Sequence, residues 1–200
     1  MNNFSLKSWT TRDILVVVVL AIVFALLTGP ILALAFLIGS GNPLVSVAFA
    51  AVTTIPSLVA PYILRKPGAA FLTQFLMGLV QLPFSPMGAF IVVVGLINGV
   101  VGELPFLVTR YRNYSLGLLI ASGVFSRLVA LGFAMNTMGF ANMPTGIQIG
   151  LVITAIVAGV LIAFIAKYLC DLLQRSGILS NYAISHDQLD GDFDESLSRG

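Results

Sequence analysis

The sequence predicts an all-α integral membrane protein, a bundle of six transmembrane helices with both termini in the cytoplasm. Three observations carry this reading: the composition, the apolar runs, and the one-sided placement of Lys and Arg. Hydrophobic residues make up 58% of the 200 positions and charged residues 9%, against about 45–50% and about 25% in soluble domains. Mean hydropathy is +1.02, so most of the folded surface cannot face water, and a soluble enzyme is excluded. A net charge of +2 from ten scattered basic residues offers no nucleic-acid surface. Cys170 is the one cysteine and His186 the one histidine, so no disulfide framework, metal centre or haem site is expected, and no cofactor.

A spanning helix needs about 20 mainly apolar residues to cross about 30 Å of hydrocarbon. The first such run is Ile14–Ile38. It is too long for a signal-peptide core and no small-residue cleavage site follows it. Gly29-Pro30 within it predicts a kink rather than a break. Pro43–Leu64 is the second run, and Gly68–Pro83 the third, short for a full span and ended at a turn bracketed by Pro83 and Pro86. Met87–Thr109, Ser115–Met138 and Gly146–Leu173 complete the six.

Orientation follows from the basic residues. Lys7 and Arg12 precede the first run, Arg65 and Lys66 follow the second, and Arg110 and Arg112 follow the fourth. Lys167 and Arg175 close the sixth, with Arg199 beyond. The intervening connections, around Gly39–Asn42, Ser85 and Gly139–Thr145, contain no Lys or Arg. Both termini are therefore assigned to the cytoplasm, and the short outer loops leave a ligand site only within the bundle or at its outer mouth. Residues 1–176 form the transmembrane domain. Residues 177–200 read as a polar, acidic cytoplasmic tail without fixed structure. Asp190-x-Asp192-x-Asp194 begins like a calcium loop, but Glu195 stands where the turn glycine belongs and no twelfth ligand follows. No calcium site is assigned.

Only two charges lie well inside the runs, and intramembrane charges raise a functional question by default. Glu103 sits seven residues before Arg110, about 10 Å from the cytoplasmic edge at about 1.5 Å per residue; Arg127 falls nearer the midplane. Either the two pair and fix helix packing, or Glu103 contacts a ligand and Arg127 orients its carboxylate. Gly95, Gly99 and Gly102 form a stripe without side chains, flanked by Asn98 and Glu103. Gln74 and Gln81 share one face of the third run with Phe71 and Gly78 beside them, suiting either a polar cavity wall or bonds between helices. Phe84 and Asn136 would close such a cavity from outside. Ala21-x-x-x-Ala25 and Ser122-x-x-x-Ser126 are small-residue pairs that, on the motif alone, mean close helix packing. No G-x-x-x-x-G-K-[ST] loop occurs, and the runs hold no Ser-His or Asp-Asp pair, so neither ATP hydrolysis nor intramembrane proteolysis is expected and no catalytic residue is named.

The stretch Arg65-Lys66-Pro67-Gly68-Ala69-Ala70, Gln74, Gly78, Gln81, Pro86-x-Gly88, Asn98-Gly99-x-x-Gly102-Glu103 and Tyr111-Arg112 resembles the YkoE family. These are substrate-binding S components of energy-coupling factor (ECF) transporters for thiamine and its hydroxymethylpyrimidine moiety. Ala166-Lys167, Asp171, Ser176-Gly177 and Leu179 resemble that family's C-terminal end. The resemblance implies an S-component fold in the bacterial plasma membrane that captures a thiamine-type molecule from outside. It also implies a transmembrane coupling subunit and two ATPase subunits as partners, so that ATP is used by the partners alone. Ala21 and Ala25 match the pair that docks the coupling subunit. Glu103, Asn98, Gln81, Gln74, Phe84, Phe71 and Asn136 become the implied substrate-binding set, with Arg127 beside it as a supporting ion-pair residue. The family carries carboxylates where this chain has Gln74 and Gln81. Losing two negative charges weakens attraction for cationic thiamine and favours a neutral aminopyrimidine or another vitamin. A membrane scaffold without a small-molecule ligand is the alternative, and a membrane-embedded enzyme ranks behind both.

Overall fold

The computed structural model describes residues 9–39, 41–111 and 114–175; the acidic tail, with its Asp190–Asp194 motif and His186, lies outside them. The helices are α1 (Thr11–Gly39), α2 (Pro43–Ala50), α3 (Ile55–Leu64), α4 (Ala69–Gln81), α5 (Phe90–Val108), α6 (Leu116–Thr137) and α7 (Thr145–Arg175). Two 3₁₀ turns, Ala51–Thr54 and Phe140–Asn142, complete the regular structure, and no strand occurs among the described residues.

Each of the six apolar runs is helical, with two departures from the sequence reading. The second run is one apolar span, Pro43–Leu64, but it is interrupted. Pro56 has no N–H to continue an α-helical ladder, so α2 tightens into the turn Ala51–Thr54 and α3 restarts with the proline in its first turn. The third run is shorter than Gly68–Pro83. α4 has 13 residues, about 20 Å of helix, and turns occupy residues 82–89. Among the described residues five helical spans, Pro43–Leu64 counted as one, are long and apolar enough to cross a membrane, and α4 is not one of them. α1 continues through Pro30 without a break, with Thr28 Oγ1 donating to Phe24 O at 2.6 Å.

One end of the bundle, the basic end, carries Arg65 and Lys66 and is tightly tied, whereas Arg127 lies in the other half. α1 starts in a reciprocal cap: Thr10 N–H donates to Asp13 Oδ2 at 2.8 Å and Asp13 N–H to Thr10 Oγ1 at 3.3 Å. Asp13 also forms a buried ion pair with Lys66 from the α3–α4 junction. Next to it Arg65, left-handed at φ 49°, places its guanidinium 5.1 Å above the Tyr114 ring. The main core fills this half, with Val17, Leu58, Ile63, Phe106, Leu119, Ile162 and Cys170 packed together. A smaller cluster of Val47, Leu131, Phe140, Leu151 and Ala155 lies toward the other end. Outward faces are apolar, for example Leu15, Leu26, Leu27, Val108 and Leu161, as lipid contact requires.

Ala21 and Ala25 are not on such an outward face. They are 0% and 3% exposed and pack on Met77 of α4. The pair serves the close approach of α1 and α4 within the chain, which corrects the expectation of a docking surface at these two residues.

Candidate ligand cavity and the two buried charges

A cavity of about 120 Å³ opens in the half of the bundle away from the basic end. The C-terminal half of α1 contributes Leu32, Ala35 and Phe36, and α2 contributes Ser46, Val47 and Ala50. Gln74, Met77, Gly78 and Gln81 come from α4, Ile91, Val94, Gly95 and Asn98 from α5, and Arg127, Leu131 and Phe133 from α6. Its wall is mostly apolar, with a few convergent polar groups, as small-molecule sites usually are.

Local backbone structure explains how the polar groups are held. Where α2 tightens, Ala51 N–H turns to Ala48 O instead of Val47 O. The freed Val47 carbonyl accepts from Arg127 Nη2 at 3.4 Å, while Nη1 donates to Ala50 O and Thr54 Oγ1, each at 3.4 Å. Arg127 Nε is buried without a partner. Gln74 Nε2 donates to Thr53 O at 2.9 Å, and its Oε1 is buried and unpartnered. Gln81 Nε2 donates to Thr28 Oγ1 at 2.9 Å and Ala25 O at 3.4 Å, binding α4 to α1.

Glu103 lies elsewhere. Its Oε1 accepts from Gly68 N–H at 2.7 Å and its Oε2 from Ala70 and Phe71 N–H at 2.9 and 3.2 Å. The Tyr111 hydroxyl donates to the same carboxylate. Gly68, at φ 85°, precedes α4 and offers no side-chain cap, so the carboxylate of α5 supplies what a capping residue would. The glycine stripe makes this reach possible. A Cβ on Gly95 would stand 2.8 Å from Gln74 O, one on Gly99 3.0 Å from Phe71 Cα, and one on Gly102 2.7 Å from Ser57 Cβ. Only glycine lets α5 lie this close to its neighbours. Burial and the adjacent carboxylate push the Tyr111 phenol above its usual value, so it stays the donor.

The sequence-named residues therefore divide. Gln74, Gln81, Asn98 and Arg127 line one cavity. Glu103 and Arg127 do not pair, because each has its own partners at different levels of the bundle. Phe71 stacks on Phe75 with centroids 6.4 Å apart and does not line the cavity. Phe84 is 69% exposed beside a groove formed with Ala25, Leu26, Gly29 and Pro30. Asn136 is exposed and donates back to Gly132 O at 3.1 Å. Thr53, Phe36, Phe133 and Phe140 line the cavity without having been singled out. Within apolar runs, an aromatic that faces a cavity reads like one that faces lipid.

A family profile described as "ABC-type cobalt transport system, permease component" matches residues 12–129, more than half of the chain. The chain belongs to this permease family. It is 29% identical over 190 residues to the "Putative HMP/thiamine permease protein YkoE" of Bacillus subtilis (strain 168), covering 91% of this chain and 93% of that protein. The fold superposes on the "Crystal structure of an S-component of ECF transporter" with a TM-score of 0.87 at 26% identity, covering 96% of this chain and 99% of that one. The resemblance carried by Arg65–Arg112 is thus borne out: this permease is a multi-pass membrane protein of the ECF S-component class, which in bacteria resides in the cell membrane. Its relatives are transporter components, a non-enzymatic class.

Proposed function

We propose that the protein is the substrate-binding subunit of an ECF importer, capturing thiamine or its hydroxymethylpyrimidine precursor from outside the cell. A membrane coupling subunit with two ATPases then drives release inward. The observation that carries this reading is the cavity wall of Gln74, Gln81, Asn98 and Arg127 in the half opposite the basic end. If the Lys and Arg residues face the cytoplasm, that half lies toward the outside, where an importer must collect its cargo. The printed name of the Bacillus subtilis relative supports the ligand class.

The family description mentions cobalt, but the donor set here suits an organic molecule better. Among the described residues no three His, Cys, Asp or Glu side chains come together. The cavity offers amides, hydroxyls and a guanidinium, which are poor ligands for a divalent transition metal. Calorimetric titration of the purified protein with hydroxymethylpyrimidine, thiamine and biotin tests the proposal. Saturable binding of a pyrimidine ligand and none of biotin is expected; binding of neither pyrimidine would refute it in favour of a scaffold role.

A further inference from the structure

The geometry points to a cavity that selects an uncharged, acceptor-bearing heteroaromatic ring and rejects cations, read by Arg127 and Gln74. This inference rests on the proposal that the cavity is the ligand site and specifies which ligands it takes. Its basis is an imbalance of charge and of hydrogen bonding. Arg127 is 5% exposed and contributes a positive charge, yet no Asp or Glu lines the cavity. Its three contacts go to neutral oxygens, all at 3.4 Å, beyond the usual 2.7–3.2 Å of such bonds. A guanidinium has five N–H donors, and Nε–H has no acceptor at all. A buried cation left this way is costly unless a ligand completes its shell.

Gln74 supplies the complement. Its amide is pinned by Thr53 O, and Arg127 Nη1 is pinned by Thr54 Oγ1. The two side chains are thus anchored on adjoining residues of one 3₁₀ turn, one with a spare donor and the other with a spare acceptor. A ring that presents an acceptor beside an exocyclic amine satisfies both. An aminopyrimidine has such an edge; a fixed cation such as a thiazolium adds a like charge to a cavity that has no anion to offset it. At a separation of about 8 Å and an effective dielectric of about 20, that repulsion amounts to about 30-fold in affinity.

The test compares hydroxymethylpyrimidine with thiamine by calorimetry on the full chain in nanodiscs. The wild type should bind the neutral ring about 30-fold more tightly than thiamine. Arg127→Met, which keeps an apolar body of similar length, should weaken hydroxymethylpyrimidine at least about tenfold and bring the two ligands within about threefold of each other. Should that variant fail to fold, Gln74→Glu decides, because it places a carboxylate in the cavity and should move the preference toward thiamine by about tenfold or more. Equal affinities in the wild type, or an unchanged preference in Gln74→Glu, overturn the inference while the proposed function stands. Binding of neither ligand overturns the proposed function itself.

Discussion

Replacing Glu103 with Gln separates a structural role from a ligand-binding one, and the structure sets the size of the effect. The carboxylate oxygens accept four hydrogen bonds, from Gly68, Ala70 and Phe71 N–H and from the Tyr111 hydroxyl. A glutamine keeps one acceptor oxygen. In its best orientation that oxygen retains Ala70 and Phe71, the new NH₂ donates to Tyr111, and Gly68 N–H loses its partner. The lost charge-assisted bond costs about 1.5–3 kcal/mol, and the lost negative charge at the α4 N-terminus adds about 0.3–1 kcal/mol. The expected destabilisation is therefore about 2–4 kcal/mol. Thermal melting in detergent, with and without hydroxymethylpyrimidine, should show a fall of several degrees in both conditions. Titration well below the melting point should give a dissociation constant within about threefold of wild type, because Glu103 does not line the cavity. An unchanged melting temperature together with a tenfold loss of affinity would refute this reasoning.

Lys66→Met removes the cation from the Asp13 carboxylate and leaves it, among the described residues, its Thr10 contacts, and should cost about 2–4 kcal/mol by equilibrium unfolding; adding Asp13→Leu should restore much of that stability. Gly95→Ala puts a Cβ 2.8 Å from Gln74 O, so it should lower stability by about 1–3 kcal/mol and weaken ligand binding in the same titration, since Gln74 must move. Burial holds the Tyr111 and Tyr114 phenols above their ordinary value of 10.0. The unfolded chain then releases those protons first, so stability should fall as pH rises beyond about 10, and Tyr111→Phe should flatten the decline in a melting series from pH 9 to 11.

The sequence makes the membrane class, the helical runs and the amide wall legible because each depends on local pattern. A run of about 20 apolar residues states its own length, and Gln74 and Gln81, seven apart, share a face whatever surrounds them. The fate of the two charges is different in kind. Helical spacing places Glu103 on α5 and Arg127 on α6, but whether they meet depends on tertiary level. Glu103 is drawn to the uncapped start of α4, and Arg127 to carbonyls released where α2 tightens. Sequence hints existed for both, in Gly68 before a helix and Pro56 within a span. The Ala21–Ala25 pair shows the same limit: small residues announce a close approach, not which helix makes it. Here the neighbour is α4 of the same chain.

The brevity of α4 links these features to the cavity. Its 13 residues leave it about 10 Å short of a full span, and the deficit falls on one side. At the basic end the helix is fixed twice, by Glu103 on its N-terminal amides and by Lys66 on Asp13. Its C-terminal end passes instead into the turns of residues 82–89, and the cavity lies along its second half, walled by Gln74, Met77, Gly78 and Gln81 with Met87 from those turns. The four acceptor bonds of Glu103 are all satisfied by the protein, while Arg127 and Gln74 each retain an unpartnered atom. Polar capacity at the tied end is used up in holding the fold. At the open end Arg127 Nε and Gln74 Oε1 remain unpartnered in residues that line the cavity, which is why the proposed recognition rests on them rather than on Glu103.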